Sequence, residues 1–174
     1  MAQPILHGDG TTLRPVREYS VEFLAARLAA ILAEPEVRAW WPGYDLQRVR
    51  SELLDCDDAV VFTIEVDGEV VGAILYCEEP DADYRHAGID VFLHPAAHGR
   101  GLGSDAVRTL AWYLFGDRRH HRLTIDPAVA NTKAIACYKR VGFREVGVMR
   151  QYERGERGEW HDSLLMDMLR HELC

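Results

Sequence analysis

His98-Gly99-Arg100-Gly101-Leu102-Gly103-Ser104 is the stretch whose reading decides the fold. It follows a β-rich run, Ala87 to Leu93, and opens a segment where Val107, Leu110, Ala111 and Leu114 return at helical spacing. Glycines at alternate positions let the backbone turn tightly and approach a ligand with no Cβ in the way. Free N–H groups at a helix start, together with the helix dipole, favour an anion, and Arg100 adds a charge-assisted donor. The ligand this turn predicts is a phosphate or pyrophosphate.

Working outward, Thr11 to Val16 reads as a short strand, and Ser20 caps a helix reaching Ala33 through Leu24, Leu28 and Ile31. Pro35 starts a further helical turn, Trp40-Trp41-Pro42-Gly43 breaks the chain, and Asp45 caps a helix through Leu46, Val49, Leu53 and Leu54. Ala59 to Val66 and Glu69 to Cys77 are β-rich, and Asp67-Gly68 between them is a hairpin signal. Beyond the glycine turn and its helix, Arg122 to Ile125 reads as a buried strand. Asn131 caps a helix that Gly142 closes, and Phe143 to Met149 and Trp160 to Met168 read as two last strands. The order is α/β (α+β): a mixed sheet with its crossovers late in the chain.

The 174 residues suit one domain, residues 1–174. A chain this long buries roughly 70% of its unfolded surface, enough to fold without disulfide or metal. No apolar run approaches the roughly 20 residues of a membrane span, and no basic start precedes an apolar stretch, so a cytoplasmic protein is expected. The net charge of −8 argues against nucleic acid and suits a cationic partner. Cys56, Cys77, Cys137 and Cys174 show no metal or redox spacing, and no metal site is expected.

Gly101, Gly103 and Ala106 also satisfy a relaxed dinucleotide fingerprint, with Asp126 about where a ribose-binding acid would stand. Against it, the preceding strand follows an antiparallel hairpin, and the chain after Asp126 is too short for a second half.

The turn resembles the [QR]-x-x-G-x-[GA] motif of the GNAT superfamily of N-acetyltransferases: Gly101 and Gly103 match, and His98 replaces the Gln or Arg. A second family pattern, an Asn, a Tyr, then Gly-Phe, stands here as Asn131, Tyr138 and Gly142-Phe143. The resemblance covers nearly the whole chain. It implies a mostly antiparallel central sheet with splayed fourth and fifth strands, flanked by helices, and acetyl-coenzyme A as co-substrate. By resemblance the donor is held by His98, Gly99, Arg100, Gly101, Leu102, Gly103, Ser104 and Asn131, with Val91 supplying an oxyanion N–H and Leu93 pairing with the pantetheine arm.

Within the family the chain looks most like aminoglycoside 6′-N-acetyltransferases, on Trp40-Trp41, Gly88-Ile89-Asp90 and Asp126-Pro127. That likeness implies direct attack of a cationic small-molecule amine on the thioester. Asp90 is the candidate base, because a carboxylate can bind an ammonium and then accept or relay its proton. Asp126 would hold a neighbouring ammonium. Tyr138 is the candidate acid for the leaving thiolate, its ordinary pKa of about 10 lying near a thiol's 8.5. Trp40, Trp41 and Tyr76 are candidate walls of the acceptor pocket, and Glu78 and Glu79 candidate attractors of a polycation. Monomer and homodimer stay open. Acetylation of protein N-termini or metabolite amines, a non-catalytic acyl-CoA-binding module, and nicotinamide binding are the competing readings.

Overall fold

The structure, a computed structural model, describes residues 3–174. Strand β1 (Leu6–His7) leads through a turn to β2 (Thr12–Pro15). Helix α1 (Val21–Ala33) is capped by the Ser20 hydroxyl, which accepts from Phe23 N–H. It runs into the short α2 (Pro35–Arg38). Asp45 caps α3 (Leu46–Val49), where the sequence led us to expect one helix to Leu54. The chain instead widens into a π turn over Arg50–Leu54. Strands β3 (Val60–Val66) and β4 (Glu69–Glu78) form the expected hairpin. Asp67 and Gly68 take φ of 52° and 81°, the two left-handed conformations that such a two-residue turn requires.

The second half alternates. Strand β5 (Ala87–Leu93) is followed by α4 (Leu102–Gly116), β6 (Arg122–Ile125), α5 (Thr132–Val141), β7 (Arg144–Arg154) and β8 (Trp160–Leu169). Asn131 caps α5 by accepting from Ala134 N–H. Gly142 closes the helix at φ 123°, and a Cβ there would stand 2.1 Å from the Glu172 carbonyl oxygen, so no larger residue fits.

The eight strands form one sheet in the order β1-β2-β3-β4-β5-β6-β8-β7. All neighbours are antiparallel except β5 and β6. That parallel pair closes through the α4 crossover and is short: only Ala87 with Leu123 and Gly88 with Thr124 are partners. Beyond them the strands part, which is the splay expected of the fourth and fifth strands; the two-residue β1 makes them fifth and sixth here.

Alternation along the strands divides the core in two. Phe62, Ile64, Ile74, Tyr76, Ile89, Leu123 and Ile125 face α4 and α5, where Ala106, Leu110, Leu114 and Val141 meet them. Val61, Ala73, Leu75 and Phe92 face the other way and cover Leu24, Leu28, Ile31 and Leu32 of α1. Each fully buried leucine contributes about 1.5–3 kcal/mol, so both helical layers are held firmly to the sheet. The gap between β5 and β6 is where the two faces communicate.

Candidate active site

The turn from Gly99 to Ser104 sits on the α4–α5 face. Gly99 and Gly101 take φ of 73° and 78°, conformations an L side chain strains to adopt, and a Cβ on either would meet nothing within 4 Å. The space in front of them is open. The first main-chain donor of the helix with a protein acceptor is Asp105 N–H, bonded to the Gly101 carbonyl. Among the described residues, the N–H groups from Gly99 through Ser104 have none. They converge at the positive end of a 15-residue helix, a cradle that fits a diphosphate.

The supports of the turn are local. The His98 ring bonds the Leu93 carbonyl through Nε2 at 2.9 Å, tying the turn back to the end of β5. Ser104 Oγ lies 3.1 Å from Cys137 Sγ, which brings α5 against the turn. Asp105 accepts from Asp9 N–H, Gly10 N–H and the Thr11 hydroxyl, anchoring the N-terminal loop behind it. Burial alone would raise its pKa, but these donors hold its carboxyl below the ordinary value. The Asn131 side-chain oxygen is occupied as the cap of α5.

The two strand aspartates occupy equivalent places. Asp90 stands two residues beyond Gly88, and Asp126 two beyond Thr124, the last paired residues of β5 and β6. Ile89, Leu93, Leu123 and Ile125 belong to the α4–α5 core, so alternation projects both carboxylates from the opposite face, at the mouth of the gap. Asp90 retains solvent exposure yet is crowded by protein. This loss of hydration, then repulsion from Asp126 and Glu153, pushes its carboxyl up to about 6. Burial also raises Asp126, against the opposing effect of the nearby Tyr152 hydroxyl.

Tyr138 approaches from the other side. It is 7% exposed, packs on Phe143 at 6.2 Å between ring centroids, and is raised well above an ordinary phenol by burial, then by Cys137, Asp90 and Asp126. It is therefore protonated at neutral pH. In β5, His94 N–H bonds the Val71 carbonyl of β4. By the alternation of an antiparallel ladder, the main-chain groups of Val91 and Leu93 then turn away from β4 and into the gap. The His98 bond to the Leu93 carbonyl agrees with this.

Other expected residues fall elsewhere. Tyr76 is 1% exposed and packed against Tyr113 in the α4–α5 core, so it walls no pocket: its position alternates with Leu75 and matches Ile74. Glu78 sits at the closed end of the β5–β6 pair, where it accepts from Arg118 at 2.7 Å and contacts His120 Nε2 at 2.7 Å. It is an internal tie, not a free attractor. Glu79 follows just past the end of β4 and accepts from Asp81 N–H. Trp40 is turned outward, whereas Trp41 packs on Phe92 at 5.0 Å and on Tyr44 at 5.5 Å, beside Asp90 on the same face. Tyr44, Tyr152 and Glu153 were not anticipated. Tyr44 follows a Pro-Gly break, and the other two lie beyond the expected end of β7.

The model of the acetyltransferase (GNAT) family matches residues 26–143. An aminoglycoside N(6′)-acetyltransferase type 1 of Klebsiella pneumoniae is 29% identical, over 81% of this chain and 77% of its own length. A structure described as RimJ of Mycobacterium smegmatis in complex with CoA-disulfide superposes with a TM-score of 0.78 at 27% identity, covering 98% of this chain and 88% of that one. A structure of AAC(6′)-Ib described as a complex with "Parmomycin and AcetylCoA" superposes at 0.75 with 25% identity, covering 94% and 96%.

Proposed function

This chain belongs to the acetyltransferase (GNAT) family and is an acyltransferase; we propose that it moves the acetyl group of acetyl-CoA onto a cationic small-molecule amine, the 6′-amine of an aminoglycoside. The observation that carries this reading is the pair Asp90 and Asp126 at the parting of β5 and β6, across the sheet from a turn of unpaired N–H groups. Donor and acceptor then approach from opposite faces and meet in the gap. The similarity to aminoglycoside acetyltransferases supports the choice of acceptor.

The diphosphate of the donor would be held by the N–H groups from Gly99 through Ser104, with Arg100 adjacent and Leu93 pairing along the pantetheine arm. The donor supplies an activated thioester. Asp90, with a carboxyl raised to about 6, is ionised at neutral pH yet basic enough to take a proton from an ammonium directly or through water. Asp126 holds a neighbouring ammonium. The Val91 N–H faces the point where negative charge develops on the acyl oxygen. Tyr138, neutral and buried, donates to the departing thiolate. A bound ammonium between Asp90 and Asp126 offsets the two charges that oppose its ionisation, so proton release becomes easier when the acceptor is in place.

The test is thiol release from acetyl-CoA by the full chain, measured across kanamycin-type aminoglycosides, linear polyamines and short peptides. Turnover should be fastest with the aminoglycosides. Turnover confined to peptides would replace this reading with acetylation of protein N-termini.

A further inference from the structure

Strand β7 is broken where it passes the mouth of the gap. Its partners on β8 are Met149 with Ser163 and Glu153 with His161, so Arg150, Gln151 and Tyr152 together face the single residue Asp162. Gln151 takes φ 50°, and its N–H is donated to Asp162 Oδ1 at 2.8 Å. A bulge of this kind turns the following side chains off the regular pleat, and bulges concentrate beside active sites. Asp162, opposite the bulge, is tied to the segment that follows Asp126: its carbonyl accepts from Val129 N–H at 2.9 Å, and Ala128 bridges Ser163. Tyr152 thus lies beside Asp126 and Glu153 near the two aspartates, which act on them.

The charge balance of this cluster is uneven. Among the described residues, Asp90, Asp126 and Glu153 form no ion pair with a lysine or arginine, and across the β7–β8 pair Glu153 faces His161. His161 is itself shared with Glu159, at 3.1 Å. A single ammonium bound between the aspartates leaves carboxylate charge over. Tyr138, 7% exposed in the core on the sheet's far side, is close enough for both aspartates to act on it, so the two faces meet at this cluster.

We infer that the β7 bulge adds Glu153 to the acceptor site as the residue that selects amines carrying a second ammonium group. This rests on the acceptor reading above and sharpens it. The reacting amine sits at Asp90, and Glu153 reads a cation elsewhere on the same molecule, so its removal should act through acceptor KM and depend on the acceptor's charge.

The experiment compares wild type with Glu153→Gln and Glu153→Ala, using acetyl-CoA and two acceptors. One is the best aminoglycoside substrate, and the other is an analogue that keeps the reacting amine and has its remaining amines replaced by hydroxyls. Wild type should prefer the multi-amine compound. Both variants should lower its kcat/KM about tenfold through KM, with the single-amine analogue and the KM for acetyl-CoA changed less than about twofold. Equal loss on both acceptors would assign Glu153 to the structure of the hairpin, and no loss on either would remove it from the site. Either result overturns the inference and leaves the acceptor reading standing. Turnover of neither amine by wild type overturns both. Melting temperatures of the variants identify any loss caused by misfolding, and Gln in place of Glu keeps the side chain's shape if Ala does not fold.

Discussion

The glycine turn and the mouth between β5 and β6 hold charge by different parts of the polypeptide. In the turn the donors are main-chain N–H groups from six consecutive residues, exposed by two left-handed glycines at φ 73° and 78°. At the mouth the proposed acceptors are the side-chain carboxylates of Asp90 on β5, Asp126 just past β6 and Glu153 on β7, brought together by the parting of one strand pair and a bulge in another. A backbone donor survives any substitution other than proline that leaves φ in place. A carboxylate is lost with its side chain. The turn should therefore respond to shape and the mouth to charge.

The largest effect is expected at the mouth. Asp90→Ala should lower turnover by about 10²–10⁴-fold with the Kd of acetyl-CoA unchanged, as read by thiol release and calorimetry. A matched weakening of acetyl-CoA binding would erase the distinction between the two regions. In the turn, Gly101→Val places a β-branched residue at φ 78°, a strain of about 1–2 kcal/mol, and sets a side chain in the donor's space. The KM for acetyl-CoA should rise about tenfold or more while the KM for the amine stays put.

Tyr138→Phe should slow kcat by about tenfold, less than the loss at Asp90 because a thiolate, with a pKa of about 8.5, leaves readily even unassisted. An unchanged rate would return Tyr138 to the core.

The charge at the mouth has a signature in stability. The Asp90 carboxyl stands near 6 in the fold against 3.8 for the unperturbed group. It binds its proton more tightly folded than unfolded, so its contribution to stability is present below about 3.8 and is lost as pH rises through about 6. Asp90→Asn should thus raise Tm by about 2–4 °C at pH 8 and bring no gain at pH 4. For the same ionisation, kcat/KM of wild type should climb with pH through about 6. The smallest effect is expected at Gly103→Ala, whose Cβ would meet Cys137 Sγ and Leu93 Cδ1 at ordinary contact, 3.5 Å. Kinetic constants should stay within about twofold.

Features that depend on a few consecutive residues were readable before any coordinates. The caps Ser20, Asp45 and Asn131, the Asp67-Gly68 hairpin, the closing Gly142 and the glycine turn all stand where the sequence placed them. The errors came where a residue's meaning lay with a distant partner. Glu78 looked like part of an acidic run; Arg118 and His120, brought in by the end of α4, make it a tie. Tyr76 looked like a pocket aromatic, although its alternation with Leu75 already placed it with Ile74 and the core. Strand β7 seemed to end at Met149 because a bulge leaves no periodic trace, so Tyr152 and Glu153 were overlooked.

By itself, the order of residues determined the helix starts, the hairpin and the glycine turn, since each is a matter of short-range φ, ψ and unpaired N–H groups. Only the tertiary structure decided which acids share the mouth. That choice depends on where β5 and β6 stop pairing and how β7 meets β8, and both are set by packing between segments far apart in the chain.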